Sequence, residues 1–111
     1  MSILSSQAAL SGRVALITGA ASGIGQAIAK AFARSGAAVA LVDIDNQAGI
    51  EARDAILAAG GKALFVQADV GKKRDCVQAI SKTVDTFGSV DILVNSAGII
   101  RRATVLETSE D

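Results

Sequence analysis

Residues 18–25 read TGAASGIG, and this glycine-rich stretch decides the fold. The stretch RVALIT, whose apolar residues 14–17 are consecutive, leads into it at residues 13–18, and apolar residues at helical spacing follow it at Ile24, Ile28 and Phe32. A strand, a tight glycine turn and a helix in this order predict the first unit of a parallel sheet. The glycines would let main-chain amides approach a diphosphate, whose charge the start of a helix favours. Glycine turns of this kind also occur for purely steric reasons, so the flanking sequence must support the interpretation.

The same alternation continues along the chain. Three further apolar runs predict strands at residues 38–43 (AVALVD), 63–67 (ALFVQ) and 90–94 (VDILV). Apolar residues at helical spacing predict two more helices between these strands, each closed by glycine. Strands and helices that alternate at these lengths predict one α/β domain over residues 1–111, a doubly wound parallel sheet covered by helices.

The composition excludes several classes of function. Eleven basic residues balance eleven acidic ones, so no overall charge favours nucleic acid or an anionic membrane. The chain contains no His and no Tyr, which excludes histidine metal sites, Ser–His nucleophiles and a phenolic acid or base. The only cysteine, Cys76, cannot form an internal disulfide and is typical of a reducing, cytoplasmic location. Its place on a helical face favours a buried structural thiol over a nucleophile.

Asp43 ends the second predicted strand and follows the glycine turn at the interval typical of dinucleotide-binding units. A carboxylate there is expected to accept hydrogen bonds from an adenosine ribose and to repel a 2′-phosphate, which favours NAD over NADP. Small residues at Ala21 and Ser22, where a phosphate-binding Arg or Lys would stand, favour the same cofactor. The alternative is a carboxylate that caps the next helix, for which Asp45 is the better candidate.

Three motifs in chain order resemble those of short-chain dehydrogenases/reductases. They are the glycine spacing T-G-x-x-x-G-I-G, the pair D-V at residues 69–70 and the sequence N-S-A-G at residues 95–98. The resemblance extends from about Leu10 to the last residue. It implies a Rossmann-type sheet with strand order 3-2-1-4. It also implies an NAD-dependent oxidoreductase that transfers hydride between nicotinamide and a secondary alcohol or ketone, of which this chain supplies the cofactor-binding half.

The resemblance further implies a set of cofactor-binding residues. Those expected at the phosphates and the adjoining ribose are Gly19, Ser22, Gly23, Ile24 and Gly25. Those expected along the adenosine ribose, the adenine and the nicotinamide ribose are, in turn, Asp43 and Ile44, Asp69 and Val70, and Asn95, Ala97 and Gly98. Ser96 stands where the family usually has a second Asn, and its hydroxyl is expected to keep the local hydrogen bonding with little loss of binding.

The family's catalytic groups are a Ser and a Tyr-x-x-x-Lys motif, usually helped by an Asn on the fourth helix. Because the chain has no Tyr, no catalytic residue and no metal ligand is assigned, and the chain alone is expected to be inactive. The last residues, from Thr108, have the pattern of a helix start, which predicts a truncated domain; a frayed acidic tail is the alternative. A full-length form is expected to bind a small-molecule substrate and to assemble as a dimer or tetramer.

Arg101 and Arg102 follow the fourth predicted strand at the edge of the sheet where ligands gather. Paired arginines can bind a substrate carboxylate, and this stretch is similar to that of family members that act on sugar acids such as gluconate derivatives. A solvated loop or a subunit contact is the alternative. Three interpretations therefore stay open: half of a dehydrogenase, a complete non-catalytic dinucleotide-binding module, and a misfolding-prone fragment. An apolar fourth strand with Asp91 as its only charge favours the first.

Overall fold

In the computed structural model, which describes residues 9–96, strands and helices alternate along the chain. The elements in order are β1 (Val14–Thr18), α1 (Gly23–Arg34), β2 (Ala38–Asp43), α2 (Asn46–Ala58), β3 (Lys62–Gln67), α3 (Lys73–Phe87) and β4 (Ile92–Asn95). The strands form one sheet in the order β3-β2-β1-β4. Every pair of neighbouring strands is parallel, which confirms the predicted fold class and strand order.

The register of the strands brings their carboxyl ends to the same edge. Thr18, at the end of β1, lies opposite Val42 of β2 on one side and Asn95 of β4 on the other. Asp43 lies opposite Gln67 at the end of β3. In parallel α/β sheets ligands bind outside this edge, near the point where the strand order reverses. The fold therefore gathers the glycine turn and the later polar residues along one rim.

The two central strands are buried on both faces, as their unbroken apolar sequences predict. Their side chains divide between two clusters because successive residues of a strand point to opposite faces. One cluster packs the sheet against α1 and α2 and includes Ala15, Ile17, Val39, Leu41, Ala29, Ala52 and Ile56. The other packs it against α3 and includes Leu16, Ala40, Val42, Val66 and Ala79. Helices of residues 9–96 thus cover both faces, two on one side and one on the other.

The fourth strand begins at Ile92, two residues later than the sequence pattern predicts. Val90 packs on the core at the margin of the α3 side instead of extending the strand. Asp91 precedes the strand and bonds to β1 twice: its main-chain amide donates to the Val14 carbonyl at 2.8 Å, and its carboxylate accepts from the Val14 amide at 2.8 Å. The side-chain acceptor fixes the start of the β1–β4 pair, so the boundary depends on a contact between distant residues.

Helix α3 meets the sheet through small residues, and its larger apolar residues lie open. Ala79 and Thr83 are its buried positions, and the Thr83 hydroxyl donates to the Ala79 carbonyl. Val77, Ile80 and Val84 are each more than two fifths exposed, as is Leu93 of β4. The larger apolar side chains of α3 are therefore left partly uncovered by the sheet.

Replacing Leu41 with alanine is expected to lower the free energy of unfolding by about 3 kcal/mol, the usual cost of emptying a fully buried leucine site. Leu41 is completely buried in the centre of β2. The matched control is Leu57→Ala on α2, whose side chain is 47% exposed and whose loss should cost under about 1 kcal/mol. Urea unfolding followed by circular dichroism measures both. Equal losses would contradict the assignment of Leu41 to the core.

Candidate functional site

The carboxyl ends of the strands border an open cleft of about 540 Å³. This volume lies within the range of ~300–1,000 Å³ that is typical of small-molecule sites. The predicted cofactor-binding residues that line it are Gly19, Ser22, Gly23, Ile24, Gly25, Asp43, Ile44, Asp69 and Val70. The structure thus brings three separate segments of the sequence to one cleft.

The glycine turn between β1 and α1 depends on two of its glycines for different reasons. Gly19 has a φ of 64°, a left-handed conformation that other residues rarely adopt. A Cβ atom on Gly25 would collide with the carbonyl oxygen of Gly19 and with Oγ of Ser96. The turn can therefore fold back closely upon the start of α1 only when residue 25 has no side chain. This close packing places main-chain atoms along the cleft.

Helix α1 begins without the side chains that usually satisfy a helix N-terminus. Its cap residue, Ser22, makes no side-chain cap hydrogen bond, and its first turn contains no acidic residue. Of the two other helices of residues 9–96, α2 is capped by Asp45, whereas α3 resembles α1 in having no side-chain cap hydrogen bond but has an acid, Asp75, in its first turn. The partial positive charge of the α1 N-terminus is therefore left for an external anion. A diphosphate is an anion that such a turn can hold through main-chain amides.

Asp43 lies in the cleft and ties β2 to the glycine turn. Its Oδ2 accepts a hydrogen bond from the main-chain amide of Ala21 at 2.9 Å, and its Oδ1 accepts one from the amide of Asp45 at 3.0 Å. Each carboxylate oxygen can accept a second bond, so both retain capacity for ribose hydroxyls. The capping role falls to Asp45, whose Oδ1 accepts from the Ala48 amide at 3.1 Å, as the sequence predicts.

Asp69 and Val70 form the opposite wall of the cleft. Oδ1 of Asp69 accepts a hydrogen bond from the Gly71 amide at 2.9 Å, which fixes the orientation of the carboxylate. Val70 is 38% exposed and, with Ile44 at 64%, offers apolar surface on either side of the cleft. Such surfaces suit a flat, aromatic base between them, and the Asp69 carboxylate adds a hydrogen-bond acceptor.

The structure places Asn95 beside the cleft and not along it. Its Oδ1 accepts a hydrogen bond from the Thr18 hydroxyl at 2.9 Å, and it lines a smaller cavity of about 200 Å³ under the start of α3. Ser96, the next residue, points the other way, lines the main cleft and donates from its hydroxyl to the Thr18 carbonyl. The expected local hydrogen bonding of the Ser96 hydroxyl is thus present. Successive residues face opposite sides of a strand, and the register sets which side each one takes.

Three residues line the cleft that were not predicted to bind the cofactor. Val42 and Ala68 immediately precede Asp43 and Asp69, and Ser96 follows Asn95. The sequence could have identified these three residues, because each is adjacent to a predicted site residue at the end of a strand. Residues on either side of a strand end lie at the same rim of the sheet. The remaining predicted residues lie outside the described range of 9–96: Ala97, Gly98, Arg101 and Arg102, together with the helix start at Thr108.

The sequence position of Cys76 predicts a buried thiol, but the structure leaves this free cysteine only half-buried. It lies in the first turns of α3, and its thiol donates to the Val70 carbonyl at 3.3 Å.

Within the described range, no group of three or more Cys, Asp or Glu side chains is arranged to hold a metal ion. None of the helices of that range is both long enough and apolar enough to cross a membrane.

Comparison with known proteins gives relatives over most of the chain. It is 50% identical over 100 residues to an uncharacterized oxidoreductase of Thermotoga maritima, covering 90% of this chain and 39% of the relative. It is 46% identical over 92 residues to the human protein named 15-hydroxyprostaglandin dehydrogenase [NAD(+)], covering 81% of this chain and 35% of that protein. The chain thus spans well under half the length of these relatives.

Solved structures agree with the sequence relatives. A hydroxysteroid dehydrogenase from Escherichia coli matches 78% of this chain and 35% of its own length, with a TM-score of 0.76 and 38% identity. A dehydrogenase/reductase from Sinorhizobium meliloti matches 86% of this chain and 38% of its own length, with a TM-score of 0.79 and 42% identity. The family model for short chain dehydrogenase matches residues 13–111. The chain therefore belongs to the short-chain dehydrogenase family.

Proposed function

We propose that this chain is the cofactor-binding half of an NAD-dependent oxidoreductase that interconverts a secondary alcohol and its ketone. One observation carries the proposal: the uncapped start of α1 and the carboxylate of Asp43 face the same cleft. The first suits a diphosphate and the second suits a sugar diol. The human relative named above includes NAD(+) in its name, which supports the same cofactor.

The residues of the cleft fit an adenine dinucleotide in three parts. The main chain of the glycine turn at residues 19–25 would hold the diphosphate, because Gly25 has no side chain and the turn can pack closely on the start of α1. Asp43 would accept hydrogen bonds from the adenosine ribose and, being negative, would disfavour a 2′-phosphate. Ile44 and Val70 would border the adenine, and Asp69 would accept a hydrogen bond from its amino group.

When bound, the nicotinamide would supply the hydride acceptor or donor of the reaction. The residues described above bind and orient the cofactor and leave proton transfer to other groups. Because the chain contains no Tyr, we propose that it binds the cofactor without turning over a substrate by itself. A sugar-acid substrate held by Arg101 and Arg102 remains a prediction from the sequence, as do the cytoplasmic location and assembly of the full-length form as a dimer or tetramer.

The chain is expected to bind NADH at least about tenfold more tightly than NADPH, because the 2′-phosphate would face the Asp43 carboxylate at short range. Titration of each nucleotide, followed by the fluorescence of the dihydronicotinamide ring, measures both dissociation constants. Reduced nicotinamide mononucleotide is the control ligand, since it lacks the adenosine that Asp43 and Asp69 would contact. Equal affinity for all three would contradict the proposed cleft, and preference for NADPH would contradict the cofactor assignment.

A binding module without catalysis is the second candidate, and the cleft supports it because the walls described above come entirely from residues 19–96. Both candidates predict NADH binding. Their predictions differ for a longer polypeptide that contains both this chain and a Tyr-x-x-x-Lys motif after it. The dehydrogenase predicts NADH formation from NAD and a secondary alcohol in that polypeptide, whereas the binding module predicts none.

A further inference from the structure

The pair Asp69-Val70 is held at both ends by two consecutive residues of α3. Oδ2 of Asp75 accepts a hydrogen bond from the main-chain amide of Asp69 at 2.8 Å. The thiol of Cys76 donates to the main-chain carbonyl of Val70 at 3.3 Å. Asp75 is half-buried, so its bond is partly shielded from water. The first turn of α3 thus fixes the backbone of the cleft wall.

Asp75 lies in the first turn of α3, where an acidic side chain usually bonds to the N-terminus of its own helix. It is the third residue after the cap, Lys72, and an acid there commonly reaches back to the amide of the cap residue. Here the Lys72 amide donates instead to the Asp69 carbonyl at 2.9 Å, and the Asp75 carboxylate extends to the Asp69 amide. The side chain therefore bonds to the cleft wall in place of the helix cap.

The consequence for the cleft follows from the geometry of Asp69. Its amide is held by Asp75, its carbonyl by Lys72 and its Oδ1 by the Gly71 amide. With the backbone and one carboxylate oxygen fixed, the second oxygen, Oδ2, has a defined direction. Among the residues the structure describes, no hydrogen bond uses that oxygen. A preorganised acceptor loses less conformational entropy when a ligand binds.

We infer that Asp75 is a positioning residue that orients the Asp69 carboxylate toward the amino group of a bound adenine. This role rests on the function proposed above and goes beyond it by naming a residue that does not line the cleft. Asp75 acts through the main chain of Asp69, so its effect should fall on the discrimination between purine bases. The diphosphate and ribose contacts, which lie across the cleft, should be spared.

The test compares NADH with reduced nicotinamide hypoxanthine dinucleotide, in which a carbonyl oxygen replaces the adenine amino group. A carboxylate aimed at that position accepts a bond from the amine and repels the oxygen. The unmodified chain should therefore bind NADH roughly tenfold more tightly than the analogue, the ratio expected of one hydrogen bond to a charged group. In Asp75→Ala this ratio should fall to about twofold or less, because Asp69 is no longer held. Asp75→Asn keeps an acceptor oxygen and should retain most of the ratio.

The matched control is Asp91→Ala, which removes another carboxylate that accepts from a main-chain amide at 2.8 Å, at the opposite end of the sheet. It should lower thermal stability and leave the ratio unchanged. If the alanine variant does not fold, Asp75→Ser replaces it in the test. The serine hydroxyl is too short to reach the Asp69 amide, so the same fall in the ratio is expected.

A ratio that stays near that of the unmodified chain in Asp75→Ala or Asp75→Ser would overturn the positioning role, even if stability falls. An unmodified chain that binds NADH without distinguishing the analogue would overturn this inference alone. A chain that binds neither nucleotide would overturn the proposed function, and the positioning role with it.

Discussion

Replacing Gly25 with alanine should weaken NADH binding by about 100-fold or more, because the added carbon overpacks the tight contact between the turn and the start of α1. In an ordinary helix the same change would stabilise the protein by up to ~1 kcal/mol, since alanine is the better helix former. Here the new Cβ atom would collide with the Gly19 carbonyl and with Oγ of Ser96. The turn must move away from α1, which displaces the amides that would hold the diphosphate. Fluorescence titration of NADH measures the loss.

The control for this substitution is Gly49→Ala on α2. Gly49 is also a helical glycine in close contact, but its added carbon would meet the ring of Phe65 on β3, away from the cleft. This variant should unfold at a lower temperature and keep the dissociation constant of NADH within about twofold. If Gly25→Ala and Gly49→Ala weaken binding equally, the effect of Gly25 is one of general stability and its place at the diphosphate is wrong.

Replacing Asp43 with alanine should weaken NADH binding by about 30-fold, which corresponds to losing one or two hydrogen bonds to a charged acceptor. The preference for NADH over NADPH should also fall to near equality, because the charge that disfavours the 2′-phosphate is gone. The two effects have separate causes, so both dissociation constants must be measured. Unchanged NADH affinity would remove Asp43 from the ribose site.

A second acid tests whether net charge alone explains the result. Asp54→Ala removes the same charge from an exposed position on α2, where the carboxylate pairs with Arg53 at 2.9 Å. Exposed pairs of this kind contribute about 1 kcal/mol or less to stability. Asp54→Ala should therefore leave both dissociation constants within about twofold of those of the unmodified chain. A loss of NADH preference in this variant would assign the effect to long-range charge instead of to the ribose contact.

The sheet could be predicted because its signals are local. Unbroken apolar runs such as residues 38–42 predict strands covered on both faces, and the structure buries five of the six residues of β2. The glycine turn and the acid that ends β2 are likewise readable in order along the chain, and they meet in space because parallel strands share an edge. Asp45 could be recognised as a cap from its spacing alone, because it lies three residues before Ala48, whose amide donates a hydrogen bond to it.

Contacts between distant residues could not be predicted in the same way. The start of β4 depends on the bonds of Asp91 to Val14, which lie 77 residues apart in the sequence. The opposite directions of Asn95 and Ser96 depend on the register with Thr18. The hydrogen bond that the Asp69 amide donates to the Asp75 carboxylate spans only six residues, yet nothing in the helical pattern around Asp75 indicates it. These features follow from the assembled sheet.

The walls of the cleft are supplied by successive strand–helix units, with the glycine turn, Asp43 and Asp69 each belonging to a different one. A dinucleotide seated there would join segments that are far apart along the polypeptide, much as a non-covalent cross-link does. A partly assembled chain lacks at least one wall and gains little from the ligand, so the binding energy adds to the stability of the complete sheet alone. A bound nucleotide would thereby favour the complete sheet over partly assembled forms of it.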